Sequence, residues 1–339
     1  MNFLRQIAYP LSVLYGIITS FRNFLYNKHI FKSTAFKTPV IVVGNLSIGG
    51  TGKTPQIEYL IRLLKNEYKI AVLSRGYKRK SKGFIIADKN TTAEIIGDEP
   101  YQYYKKFEDI IVAVDANRTN GIHLLEELEN PPDIILLDDA FQHRKVKAGL
   151  NILLTSYNNL YVDDMLLPTG NLREKINGAK RAQIIIVTKC PSDISKKEQL
   201  NITEKLNPTS QQTIFFTTIE YNNKLKGFST FNLDELKNVE LLLITGIANP
   251  TPLIDYLGSK KIKFKHLKYP DHYHFKNKDI EVINEMFYAI QSNKKIILTT
   301  EKDYVRIFAE LRNLVFIEIK TKFVNGSIDF DKTIKNYVE

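Results

Sequence analysis

The sequence predicts an α/β protein: a doubly wound parallel sheet, a second and smaller α/β domain behind it, and an amphipathic helix ahead of both. Three observations carry that expectation. From residue 39 onward, short runs of Ile, Val and Leu alternate with helix-patterned stretches. A glycine-rich loop stands between the first run and the first such helix, and the alternation lapses into a polar stretch over residues 191–212 before resuming. At 339 residues there is chain enough for two domains, and 43% hydrophobic with 25% charged residues is the balance of a folded globular protein. The single Cys190 cannot close an intramolecular disulfide, and no Cys/His group has zinc-finger spacing.

The first element is a helix over residues 2–26. Phe3, Leu4, Ile7, Ala8, Leu11, Leu14, Tyr15, Ile18, Phe21, Phe24 and Leu25 recur at three- and four-residue spacing and so form one stripe, with Pro10 expected to kink or restart it. The run is too interrupted by polar residues for a signal peptide or a membrane span. Two readings stand: a helix packed on its own domain, or an interfacial helix with its apolar face in lipid and its cations on anionic headgroups. The charge distribution favours the second. Of the net +11, +6 falls before Glu58, the first acidic residue of the chain. Residues 1–38 are therefore set apart as a membrane-associating segment.

Residues 39–220 are expected to form the main domain. Its strands fall at 39–43, 70–74, 109–114, 133–137, 151–154 and 183–188, and its helices near 56–66, 100–107 and 117–129. Strands this uniformly apolar suit a parallel sheet covered on both faces. An extended run at 213–221 leads into residues 221–339, where strands at 239–245, 261–267, 295–299 and 314–319 alternate with helices from about 251 and at 279–291. The basic loop at Lys78, Arg79, Lys80 and Lys82 reads as solvated surface.

The loop after the first strand, GNLSIGGTGKT over residues 44–54, has the strand–loop–helix context of a P-loop. Ser47, Ile48, Gly49, Gly50, Thr51, Gly52, Lys53 and Thr54 are the residues expected around a triphosphate. Closely spaced glycines let successive amides face one anion, Lys53 offsets phosphate charge, and Thr54 completes a Mg²⁺ shell. Ser47 stands where the usual pattern has its first glycine. A second apolar run ends in Asp138 and Asp139, in the manner of a Walker B strand whose carboxylates face the ligand crevice. Together the two segments point to a nucleoside triphosphate and Mg²⁺. No nucleic-acid motif accompanies the basic charge.

Seven stretches extend the reading: VGNLSIGGTGKTP (43–55), SRGY (74–77), GDEP (97–100), LDDAFQHR (137–144), LPTGNLRE (167–174), PDH (270–272) and TEKD (300–303). In this order they resemble the tetraacyldisaccharide 4′-kinase family of lipid A biosynthesis. The resemblance implies transfer of the γ-phosphate of ATP, with Mg²⁺, to the 4′-hydroxyl of an acylated glucosamine disaccharide 1-phosphate. It also implies work at the cytoplasmic face of the inner membrane, a site in a cleft between two α/β domains, and no obligate protein partner. Asp98 matches the family's base and His272 its partner, with His274 a competitor two residues on. Glu99 is a further candidate for Mg²⁺. Arg75, Arg118 and Arg173 are candidate phosphate clamps, since guanidinium suits bidentate phosphate contacts. Gln142 and His143 could meet a substrate or stabilise their loop, and Lys189, after a core strand, could meet the nucleotide base. The competing reading is a GTPase or ATPase switch of the metallochaperone or partitioning type, which needs neither a base for a sugar hydroxyl nor a lipid-facing helix.

Overall fold

The structure is a computed structural model that describes residues 5, 7–271, 273–307 and 311–339. The chain divides into two compact units, one of residues 1–219 and 321–339, the other of residues 220–320.

The larger unit opens with α1 (Tyr9–Asn27), where Pro10 lies in the first turn. A proline there sacrifices no helical hydrogen bond, so Pro10 starts this helix and does not kink it. The sheet then forms from β1 (Val40–Asn45), β2 (Ile70–Ser74), β3 (Ile85–Ile86), β4 (Ile111–Val114), β5 (Ile134–Asp138), β6 (Leu150–Ser156), β7 (Ile184–Thr188) and β8 (Thr213–Tyr221). The helices between them are α2 (Lys53–Leu64), α3 (Ala93–Ile96), α4 (Asp98–Lys106), α5 (Arg118–Glu126) and α6 (Lys196–Leu206). That last helix occupies the stretch read from sequence as merely polar; Ser195 caps it, accepting from the Glu198 amide, and it buries little beyond Ile202 and Leu206.

Strand order in this sheet is β15-β8-β7-β6-β1-β5-β2-β4-β3, where β15 is the late strand Ile319–Phe323. From β8 to β4 the pairing is parallel, and the short β3 is antiparallel to β4. Along β1, Val40 and Val42 join one core cluster while Ile41 and Val43 join the other. The strand is buried on both faces, which is why its sequence lacks polar alternation.

The sequence assigned residues 221–339 to the second domain. The chain instead returns: β15 pairs beside β8, and α10 (Ser327–Val338) packs Phe330 and Ile334 into the core with Phe215, Phe323 and the α2 residues Ile57, Leu60 and Ile61. The Tyr337 hydroxyl donates to the Val40 carbonyl and accepts from its amide.

The smaller unit holds the rest. Its sheet, β10-β9-β14-β13-β11-β12, comprises β9 (Lys224–Gly227), β10 (Phe231–Asn232), β11 (Glu240–Thr245), β12 (Phe264–Lys268), β13 (Lys295–Thr300) and β14 (Leu314–Ile317). Its helices are α7 (Thr251–Ser259), α8 (Asn277–Tyr288) and α9 (Glu301–Ile307). Within the TEKD stretch, buried Asp303 accepts from the Gly246 amide at 2.8 Å and the Thr300 hydroxyl at 2.8 Å, and pairs with Arg306 at 3.2 Å. Asp271 of PDH pairs with Lys302 at 3.8 Å. His272 lies outside the described residues.

Candidate active site

The phosphate-binding loop joins the C-terminal end of β1 to α2. Gly49 (φ +109°) and Gly52 (φ +86°) take backbone conformations that a side chain would strain, so glycine is required at both. The loop is braced from four sides. The Asn45 amide donates to the Thr51 hydroxyl at 2.9 Å, the Thr188 hydroxyl to the Thr51 carbonyl at 2.8 Å, and the Lys189 ammonium to the Gly50 carbonyl. From the LPTGNLRE stretch, Leu172 bridges buried Ser47, and the Asn171 carbonyl accepts from the Ile48 amide at 2.8 Å. That last contact is a correction: the Ile48 N–H is spent inside the protein, and its side chain is exposed. Lys189, offered for the nucleotide base, here directs its ammonium at the loop itself.

Lys53 extends toward the end of β5, 3.7 Å from Asp139 Oδ1 and 3.5 Å from Asn45 Oδ1. Asp139 is a non-glycine residue at φ +49°, a sparsely populated conformation that recurs at functional sites. Burial raises its pKa, but the charges of Lys53, Arg173 and Arg118 outweigh burial and hold the carboxyl below its usual range. Arg173 grips it with two bonds, 2.8 and 3.1 Å. The sequence offered Arg173 as a phosphate clamp; here its fork is closed on a carboxylate 34 residues away.

Asp138 sits behind, 7% exposed. Its Oδ2 accepts from the Ser74 hydroxyl at 3.3 Å and the Tyr103 phenol at 3.4 Å, while Oδ1 has no partner. Burial, and then the Asp139 charge, push its pKa up to about 6. Tyr103 is also hydrogen-bonded to Thr54, so one buried phenol links the threonine of the loop to the acid of the strand. Sequence reading passed over Tyr103; its signal was a phenol five residues after Asp98 on the same short helix. Asp98 and Glu99 open α4, half-buried, and Glu99 lies close enough for its charge to raise Asp138.

Among the described residues no group of three or more His, Cys, Asp or Glu side chains is disposed to enclose a metal. The oxygen donors present still fit Mg²⁺, which uses one or two carboxylates and completes its shell with water and phosphate. The orphaned, buried Asp138 Oδ1, in reach of the Glu99 charge and sharing Tyr103 as a neighbour with Thr54, is the observation that supports that fit.

Arg118 also departs from expectation. It is buried, 3% exposed, and donates to the carbonyls of Asp115 at 2.7 Å and Asp138 at 3.5 Å. Burial lowers its pKa to about 10. It therefore braces the β5 end from behind. Gln142 takes the structural option left open for it, donating to the Asn45 carbonyl at 2.9 Å and Glu174 Oε1 at 3.1 Å. Glu174, fully buried, also accepts from Arg181 and from Asn23 of α1. Arg75 is exposed and lines an open groove of about 350 Å³ with Lys78, Arg79 and Lys82.

The helix α1 rests on the same brace. Ser12 donates to Thr169 at 2.7 Å and Tyr15 to the Arg173 carbonyl at 2.8 Å. Its buried residues are Ser12, Gly16 and Thr19, so the small and polar stripe faces the protein. The apolar stripe faces out: Ile17 is 58% exposed, Ile18 59% and Phe21 62%. The helix is thus packed on its own domain, through its small and polar face, while the apolar stripe stays exposed.

The model of the family described as tetraacyldisaccharide-1-P 4′-kinase matches residues 4–339. The chain belongs to the tetraacyldisaccharide 4′-kinase family. The tetraacyldisaccharide 4′-kinase of Flavobacterium psychrophilum is 56% identical over 344 residues, covering 100% of this chain and 98% of that one. Its namesake in Bacteroides thetaiotaomicron is 44% identical, covering 97% and 92%. A crystal structure of LpxK from Aquifex aeolicus in complex with ATP superposes with a TM-score of 0.79 at 32% identity, covering 99% of this chain and 100% of that one. The family match spans both units.

Proposed function

We propose that this chain is an ATP-dependent kinase that transfers a γ-phosphate to the 4′-hydroxyl of a tetraacyldisaccharide 1-phosphate, a step of lipid A biosynthesis. The observation that carries the reading is the convergence of Lys53, Thr54, Asp138 and Asp139 at one sheet end, in a chain matched by the family along its length. Lys53 lies 3.7 Å from Asp139; a bound triphosphate would give its ammonium a further counter-charge. Thr54, Asp138 and Glu99 would hold Mg²⁺, which when bound neutralises charge on the phosphates. Asp98 would accept the proton of the sugar hydroxyl as the phosphoryl group leaves ATP. Gly97, at φ +94°, packs so closely on Gly76 and Tyr77 that a Cβ there would lie 3.1 Å from the Tyr77 carbonyl oxygen, and this fixes where Asp98 begins its helix.

Association with the cytoplasmic face of the inner membrane is proposed for α1. No helix among the described residues is long and apolar enough to cross a membrane, while an outward stripe of Leu14, Ile17, Ile18, Phe21 and Phe24 suits insertion into one leaflet. The switch reading gains nothing from this stripe. Incubation with γ-labelled ATP, Mg²⁺ and the disaccharide lipid tests the proposal. Label is expected in the lipid; label released only as free phosphate, at a rate indifferent to lipid, would support the switch.

A further inference from the structure

We infer that Glu58, on the phosphate-loop helix, is a positioning residue for phosphoryl transfer, clasping the helix that presents Asp98 to the helix that presents Lys53 and Thr54. The inference rests on the reading of the chain as a kinase with Asp98 as its base.

Glu58 is 1% exposed, and its carboxylate is fully engaged. Oε1 accepts from Gln102 Nε2 at 2.9 Å; Oε2 accepts from Lys106 Nζ at 2.8 Å and from Arg62 Nη2 at 2.8 Å. Arg62 lies on α2 itself, one turn on, and is further held over the Phe107 ring at 5.3 Å. Gln102 and Lys106 lie on α4 at i and i+4, so they share one face of that helix. A single buried carboxylate thus receives two contacts from α4, one turn apart. Gln102 stands one turn, about 6 Å, behind Asp98, and Glu58 stands a similar distance behind Thr54. The front of the same pair of helices is joined by the Tyr103 phenol, bonded to Thr54 and Asp138.

Burying this cluster is a poor way to gain stability, because apolar side chains of similar volume do as well or better in such sites. Its distinctive property is directional. Apolar contacts tolerate a helix sliding along its neighbour, whereas an amide and an ammonium converging on two oxygens do not. With Gly97 fixing the entry to α4, the clasp fixes its axial position, and a displacement of about 1 Å at a reacting group can lower a rate about 100-fold.

The test replaces the clasp with apolar volume, Glu58→Met with Lys106→Met, leaving Arg62 free to reach water. Melting temperature, ATP Kd, and kcat and KM for lipid phosphorylation are measured in this variant, in Asp98→Asn, and in the combination. The expected result is a folded protein with ATP Kd within about twofold of wild type and kcat lowered about tenfold or more. The combined variant should be no slower than Asp98→Asn alone, because the clasp acts through Asp98. Unchanged kcat, a loss confined to ATP Kd, or losses that multiply in the combination would each overturn the role of Glu58. Should the double substitution not fold, Gln102→Leu, which keeps both ion pairs, is read by the same criteria. Wild-type protein that phosphorylates no lipid, or Asp98→Asn with normal kcat, overturns the underlying reading instead.

Discussion

Lys53 and Asp139 illustrate how far a residue's type discloses its task. A lysine after glycines at the start of a helix is legible, since spacing along the chain supplies everything the phosphate contact needs. That Asp139 holds Lys53 and Arg173 together depends on contacts between distant segments. Arg118 shows the same limit: its sequence neighbourhood looks like any helix start, and only the fold buries it beneath Asp138. Lys53→Ala is expected to lower kcat/KM for transfer about 100- to 1,000-fold, with a matching loss of ATP affinity measured by calorimetry. Asp98→Asn should lower kcat by about 100-fold or more while ATP affinity holds. His143 offers a pH test of stability. Burial, then Arg118 and Lys145, depress its pKa to about 4, whereas an unfolded histidine titrates near 6.5. The neutral ring therefore contributes stability that is complete above about pH 6.5 and is lost as pH falls toward 4. Denaturant titrations of His143→Gln should show a smaller loss between pH 7 and 4.5 than wild type, by roughly 2 kcal/mol after allowance for partial exposure. An equal loss in both proteins would contradict that assignment.

Elements were legible where composition and position agree. The strands of the main sheet are continuous Ile, Val and Leu, so they could be read to within a residue or two. The period of α1 was equally plain, but a period cannot say which stripe faces inward. Here Ser12, Gly16 and Thr19 decide it, because small and hydroxylated side chains let the helix lie close against Leu166 and Thr169. A Cβ at Gly16 would stand 2.6 Å from Leu166 Cδ1. Gly16→Leu should therefore destabilise the larger unit by about 1–3 kcal/mol, read from denaturant unfolding. The outward stripe makes a separate prediction. Ile18→Asp with Phe21→Asp should weaken binding to phosphatidylglycerol-containing vesicles at least about tenfold, with ATP affinity unchanged. Undiminished co-sedimentation with vesicles would remove α1 from the lipid interface.

At the scale of the molecule, two α/β patterns were visible in sequence, and the return of the chain to the first of them was not. β15, with the sequence IKTKF, is a short, partly polar strand and α10 an ordinary amphipathic helix, so nothing local marks them as belonging to the earlier sheet. Their allegiance comes from Phe323, Phe330 and Ile334, which meet Phe215 and Tyr59 in one aromatic cluster. Ending the chain after residue 326 is expected to expose that cluster and lower the melting temperature of the loop-bearing unit, although no residue of its nucleotide site is removed.

The most direct measurement is ³¹P NMR of the lipid recovered after reaction with Mg²⁺ and ATP. A new phosphomonoester coupled to the proton on C4′, appearing with wild type and absent with Lys53→Ala, is the predicted result. A lipid that keeps only its 1-phosphate resonance while ATP is consumed would contradict the account.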